Sequence, residues 1–268
     1  MKKIIIPFAA VALFFMSCSS DDSAANPNEN NTPTADFLPL QEGNYWVYNV
    51  ESETAPAGQD HLYISGTETI NGKVYDKFLT QEAPMGFYSS SLYNSGVRQE
   101  GDKLLVTGQT QFAFAEGVPL NINVTDFVIF KENAVSGQML GTTSGTINQT
   151  IEGYDLQINY VLTTTAKGSL ATHTAGTHTY NDVKKVETVL NLTISSPVTI
   201  GGVQSSVTIM PAQNAVVSTQ YYAKEIGVVH VETDINYNLS PFAQNLPLPV
   251  PTSFNDHQEE ILSSYNVN

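Results

Sequence analysis

Hydrophobic and polar residues alternate with a period of two along much of the chain beyond residue 37. In one stretch the apolar positions are Tyr154, Leu156, Ile158, Tyr160 and Leu162. In another, Val229, Val231, Ile235 and Tyr237 alternate with His230, Glu232, Asp234, Asn236 and Asn238. Because successive side chains of a strand point to opposite faces, each stretch predicts a strand with one buried and one wet side. The pattern predicts an all-β protein built on an antiparallel sheet.

Turn residues support this interpretation. Asn71-Gly72 and Gly201-Gly202 each separate two apolar-rich runs, and such pairs favour the positive φ angles of tight hairpins. Glu100-Gly101-Asp102 predicts a further turn. We expect roughly twelve or more strands, without the alternating helices of a βαβ fold.

The C-terminal region shows a different pattern. The proline-rich stretch from Pro241 to Pro251 predicts a surface loop. A short amphipathic helix is predicted to follow from Asp256, since Ile261, Leu262 and Tyr265 fall at helical spacing.

The N-terminus has the organisation of an export signal. Lys2 and Lys3 precede an apolar run from Ile4 to Met16, which small Ser17 and then Cys18 follow. The run is shorter than the ~20 residues that span a bilayer. We therefore predict a cleaved signal peptide over residues 1–17.

Phe15-Met16-Ser17-Cys18 resembles a lipobox, the recognition site of bacterial lipoprotein processing. The resemblance implies cleavage between Ser17 and Cys18 and acylation of Cys18. The alternative is an ordinary cleaved signal with an accidental cysteine. An unpaired thiol is a liability in an oxidising compartment, so lipidation is the favoured interpretation of this single cysteine.

The residues after Cys18 predict where in the cell envelope the protein is located. Ser19, Ser20, Asp21 and Asp22 resemble the export signal of surface lipoproteins of the Bacteroidota, and Ser23 lies in a stretch that resembles their O-glycosylation site. The resemblance implies an outer-membrane protein that faces the cell exterior, with the periplasmic face as the alternative. The same residues also fit a solvated acidic tether. Residues 18–36 predict a disordered tether, because they are polar and proline-containing.

Three landmarks of the body resemble the same lipoproteins. They are an opening strand at Tyr45-Trp46-Val47-Tyr48, an Ala175-Gly176-Thr177 segment before a strand, and the segment from Tyr221 to Val229. The resemblance implies a strongly curved antiparallel sheet or an open barrel, and no established activity. With no second linker along the chain, residues 37–268 predict a single β-rich domain, with two subdomains as the alternative.

Composition excludes some partners. The formal net charge of −15 would repel phosphate backbones, so no nucleic acid is expected to bind. The membrane is an expected partner through the lipid anchor, because two or more acyl chains hold a protein stably.

The candidate chemistry is sparse. His173 and His178 are most simply the flanks of a turn, and His230, Glu232 and Asp234 fit a solvated strand face, although they could line a cleft. Glu100-Gly101-Asp102 and Asp21-Asp22 lack the spacing of a calcium loop. The sequence therefore predicts no catalytic residue, metal ligand or cofactor.

Three functional hypotheses remain open. The first is a noncatalytic module that binds a small apolar or glycan ligand, or docks a partner, in the concavity of the curved sheet. The second is a surface hydrolase acting on polysaccharide, which needs two facing carboxylates. The third is a structural component of a surface complex, with an exposed apolar patch.

Overall fold

A computed structural model describes residues 36–115, 118–151, 153–200, 202–245 and 250–268. Strand and helix bounds follow the turn residues closely. The elements are β1 (Tyr45–Ser52), β2 (Gly58–Ile70), β3 (Lys73–Thr80), α1 (Phe87–Leu92), β4 (Gly96–Glu100), β5 (Lys103–Ala115), β6 (Val118–Lys131), β7 (Met139–Ile151), β8 (Tyr154–Ala175), β9 (His178–Ile200), β10 (Val203–Ala223), β11 (Gly227–Asn238), a 3-10 turn (Ala243–Asn245) and β12 (Ser253–Asn266).

The strands form one antiparallel sheet in the order β6-β5-β4-β3-β2-β1-β12-β11-β10-β9-β8-β7. Every pair is a sequence neighbour except β1 with β12, so the first and last strands join two meanders. The sheet curves until it is nearly closed into a barrel, with one unsealed seam. The predicted all-β class and curved antiparallel sheet are confirmed.

The seam lies between the two ends of the sheet, β6 and β7. Side chains and loop atoms bridge it in place of a continuous ladder. The Thr164 hydroxyl donates to the carbonyl of Val128 at 2.6 Å, and the Lys184 ammonium donates to the carbonyl of Glu132 at 2.6 Å. These contacts hold the curved sheet near closure.

The predicted turns are where the sequence places them. Asn71 and Gly72 both adopt positive φ, 52° and 78°, between β2 and β3. Pairing of Ile200 with Val203 confirms the second hairpin. Gly101, with φ of 59°, turns the chain between β4 and β5.

The predicted C-terminal helix is wrong, because Ser253–Asn266 form strand β12 between β1 and β11. Asp256 and Glu260 are buried here, 5% and 0% exposed, together with Leu262. Polar residues on the buried face hide the period-two pattern. Pairing on both edges of the strand outweighs the helical spacing of three apolar residues.

The side of the sheet that faces the core is lined with large apolar side chains, including Trp46, Tyr48, Leu62, Phe78 and Tyr222. Helix α1 packs against this core through Tyr88 and Leu92. The cavity beside the helix measures only about 40 Å³. This volume suits roughly one water molecule, so the space is too small for a ligand.

Candidate functional site

A concavity lies at one end of the sheet, and we call it the end groove. It arises because β10 and β11 stop earlier than their neighbours: β9 pairs with β10 only as far as Val183, and β12 pairs with β11 only as far as Ile261. The ends of β9 and β12 therefore stand as walls on either side of the β10–β11 turn. The groove has a volume of about 670 Å³.

The end groove is lined by His178, Thr179, Tyr180, Asn181, Asp182, Lys224, Glu225, Ile226, Leu262, Ser263, Ser264 and Tyr265. Most of these side chains are exposed hydrogen-bonding groups, and Tyr265 offers an exposed aromatic ring. Tyr180 is buried, which raises the pKa of its hydroxyl. The groove thus combines ring surface with hydroxyl, amide and charged groups, suited to a polar ligand.

The first described residue of the chain lies at the rim of this groove. The amide of Glu225, a lining residue, donates to the carbonyl of Asp36. Asp36 is the first residue that the structure describes. Asp36 therefore lies beside the end groove.

A second group of polar side chains lies on the face of the sheet that points away from the core. Here the histidine cluster consists of His230 and Glu232 on β11 and Glu259 on β12, with His173 and Tyr221 packed against them. One ligand atom from each of His230, Glu232 and Glu259 lies within 4.8 Å of the others. This is the arrangement from which a metal site can be built.

The prediction of a solvated strand face is wrong at His230, which is only 7% exposed. The end of the β8–β9 hairpin folds over this part of the sheet. His173 of β8 stacks on Tyr221 with ring centroids 4.0 Å apart, and its Nε2 lies 3.1 Å from His230 Nδ1. The covering hairpin removes His230 from solvent.

Electrostatics in and beside the cluster follow from burial and neighbours. Burial is the main cause that lowers the pKa of both His230 and His173, so burial favours the neutral imidazoles. The hydroxyl of Tyr221 donates to Glu232 at 2.6 Å, and burial with this bond raises the Tyr221 pKa. Nearby His257 has a raised pKa, mainly because it hydrogen-bonds to Asp234.

A buried carboxyl pair holds helix α1 inside the sheet. Glu260 accepts from the amides of Tyr88 and Ser89 and from the Ser89 hydroxyl, at 2.6, 3.2 and 2.9 Å. Asp60 accepts from the amides of Met85 and Gly86. Burial, with the charge of Asp60, raises the pKa of Glu260 to about 7. These contacts serve the fold, because both carboxyls are sealed from solvent.

The residues predicted from the N-terminal pattern lie outside the described part of the chain. They are the lipidation site Cys18, the cleavage residues Ser17 and Cys18, the export residues Ser19, Ser20, Asp21 and Asp22, and the O-glycosylation residue Ser23. By contrast, the prediction that His173 and His178 flank a turn is confirmed, since Ala175 pairs with His178 around it.

The histidine cluster could not be predicted from the sequence. His173 and His230 are 57 residues apart, and Glu259 is on a third strand. No spacing in the chain signals that they meet. The only signal was the shared strand face of His230 and Glu232.

Comparisons with known proteins give no relative: no family model, no curated protein and no solved structure matches the chain. Among the described residues, no helix has both the length and the apolar character needed to traverse a bilayer.

Proposed function

We propose that this chain is a lipid-anchored outer-membrane protein, facing the cell exterior, whose noncatalytic β-domain binds a glycan in the end groove. The end groove is the observation that carries the proposal. Its volume of about 670 Å³ falls in the usual range of ~300–1,000 Å³ for small-molecule sites.

The lining of the groove favours a sugar over an apolar ligand. Tyr265 is 43% exposed and can cover the apolar face of a sugar ring. Asn181, Asp182 and Lys224 are exposed beside it and can exchange hydrogen bonds with ring hydroxyls. An apolar ligand would leave these groups without partners.

Binding is favoured over hydrolysis by the position of Glu260. A glycosidase needs a protonated carboxyl beside the scissile bond, and Glu260 has the raised pKa of such an acid. However, Glu260 is 0% exposed and its oxygens accept bonds from helix α1. A substrate in the end groove would not reach it.

A glycan panel screened with the purified chain tests ligand binding. We expect at least one glycan to bind, and Tyr265→Ala to weaken its Kd about ten-fold, because an anchoring aromatic side chain typically contributes over ~1 kcal/mol. Phe242→Ala is the matched control, since that ring is 51% exposed outside the groove. A panel without any binder, or equal binding by Tyr265→Ala, would contradict the proposal.

Fractionation of cells tests the anchor. We expect the wild-type chain in the outer-membrane fraction and Cys18→Ala in the soluble fraction, because the variant has no thiol for the diacylglycerol group. Asn28→Ala, a change in the same predicted tether, is the control and should stay with the membrane. Recovery of Cys18→Ala in the outer-membrane fraction, or a mature wild-type protein of unacylated mass, would exclude lipid anchoring.

Outward display is tested separately with whole cells. Replacing Asp21 and Asp22 by alanine should reduce the fraction of chain that external protease digests. Unchanged digestion would show that these aspartates do not direct export.

A further inference from the structure

We propose that His230, Glu232 and Glu259 form a binding site for a divalent transition-metal ion, with Zn²⁺ as the reference ion. The site lies on the outward face of β11 and β12. It is independent of glycan binding in the end groove, and neither proposal needs the other.

The first argument is an unsatisfied nitrogen. The His230 side chain is 9% exposed, and its Nε2 has no hydrogen-bond partner among the described residues. Its nearest carboxylate oxygen, Glu259 Oε2, is 3.8 Å away, beyond hydrogen-bond reach. A buried polar atom without a partner is unfavourable, and a metal ion on Nε2 would supply the missing interaction.

The second argument is the pair of carboxylates. Glu232 and Glu259 lie directly opposite each other in the β11–β12 ladder, and Glu51 continues the row on β1. Like charges placed opposite each other across strands destabilise a sheet. A divalent cation between Glu232 and Glu259 would neutralise this repulsion. His257 is near Glu259 alone, with its Nε2 3.6 Å from the Glu259 carboxylate.

The third argument is the support around the ligands. A metal-binding histidine usually donates its other ring N–H to a neighbour, which fixes the tautomer and ring orientation. With its proton on Nδ1, His230 donates to His173 Nε2 and leaves the Nε2 lone pair free. Tyr221 fixes Glu232 in the same way through its 2.6 Å bond, and stacks on His173.

The donor set indicates the class of ion. One imidazole nitrogen with two carboxylates suits zinc and neighbouring divalent transition metals better than calcium, which takes six to eight oxygens. Zinc bonds to nitrogen and oxygen are ~2.0–2.2 Å long, so the ligand atoms must approach each other from their present separation of up to 4.8 Å. The Glu259 side chain is 36% exposed, and its rotation would bring its carboxylate closer to His230 and Glu232. The three ligands leave a coordination position open.

Calorimetric titration of the tag-free full chain with ZnCl₂ tests the site. We expect one Zn²⁺ per chain, with His230→Ala weakening the affinity ~100-fold or more. Glu232→Gln and Glu259→Gln should weaken it ~10- to 100-fold and Tyr221→Phe about ten-fold, as ligand and supporting residues do. His61→Ala, a histidine outside the cluster, should bind as wild type.

Co²⁺ serves as a second probe, because its visible absorption changes with the coordination number and geometry that the protein ligands impose. The bands should be lost in His230→Ala and retained in His61→Ala. Circular dichroism of each variant establishes that the fold is intact, and the near-isosteric Glu→Gln changes decide the matter should His230→Ala fail to fold. The proposal is overturned by the absence of saturable binding, or by equal binding in wild type and the glutamine variants.

Discussion

Replacing Trp46 by alanine is expected to lower the free energy of unfolding by about 3–5 kcal/mol, the usual cost of truncating a buried tryptophan. Trp46 is 0% exposed in β1, at the join between the two meanders. Its ring stacks on Phe78, with centroids 6.0 Å apart. Its Nε1 donates to the carbonyl of Ile226 at 2.6 Å, which ties β1 to the β10–β11 turn.

Chemical denaturation followed by far-ultraviolet circular dichroism measures this loss. Trp46→Phe keeps an aromatic ring but loses the hydrogen bond to Ile226 and part of the buried volume, so we expect a smaller loss than in Trp46→Ala. Tyr45→Ala is the control, since Tyr45 is the preceding residue and is only partly buried. A loss below ~1 kcal/mol in Trp46→Ala would show that the join is held by other contacts.

Local rules account for the part of the fold that could be predicted. Apolar and polar residue types alternate along most of β8 and β11, and Asn71-Gly72 needs positive φ at both positions, so each could be predicted from a few adjacent residues. Strand β12 could not be predicted in this way. Its buried face includes Asp256 and Glu260, whose carboxylates accept hydrogen bonds from Ser52 of β1 and from the amide of Tyr88 in helix α1.

Neither candidate site could be predicted from the sequence, for a related reason. The end groove depends on how far β9 and β12 extend beyond the β10–β11 turn, which is a difference between strands and not a pattern within one. The burial of His230 depends on the β8–β9 hairpin folding over it. Both features are long-range, whereas period and turn chemistry are local.

Lowering the pH from 8 to 5 is expected to stabilise the wild-type fold relative to Glu260→Gln by about 2–3 kcal/mol. The pKa of Glu260 is about 7 in the folded chain and 4.5 as the ordinary value. Below pH 4.5 Glu260 is protonated in both the folded and the unfolded chain, and its stabilising contribution is complete. As the pH rises through 7 the folded state loses the proton too, and the contribution is lost.

Denaturation of both proteins at pH 5 and pH 8 measures the effect as a double difference, which cancels titrations common to the two chains. Glu82→Gln, an exposed glutamate, is the control and should follow the wild type. If wild type and Glu260→Gln changed in parallel with pH, Glu260 would not be the group responsible.

The expected gain in stability at low pH has a structural cause. Desolvation of the Glu260 carboxylate exceeds the gain from the three bonds that it accepts, so ionisation is unfavourable in the folded chain. Gly86 allows this close packing, because a Cβ there would lie 2.2 Å from the Glu260 carboxyl group. Ionisation of Glu260 near neutral pH therefore destabilises the folded chain, although helix α1 remains packed against this residue. Protonation of Glu260 should raise the free energy of unfolding of the domain without moving helix α1.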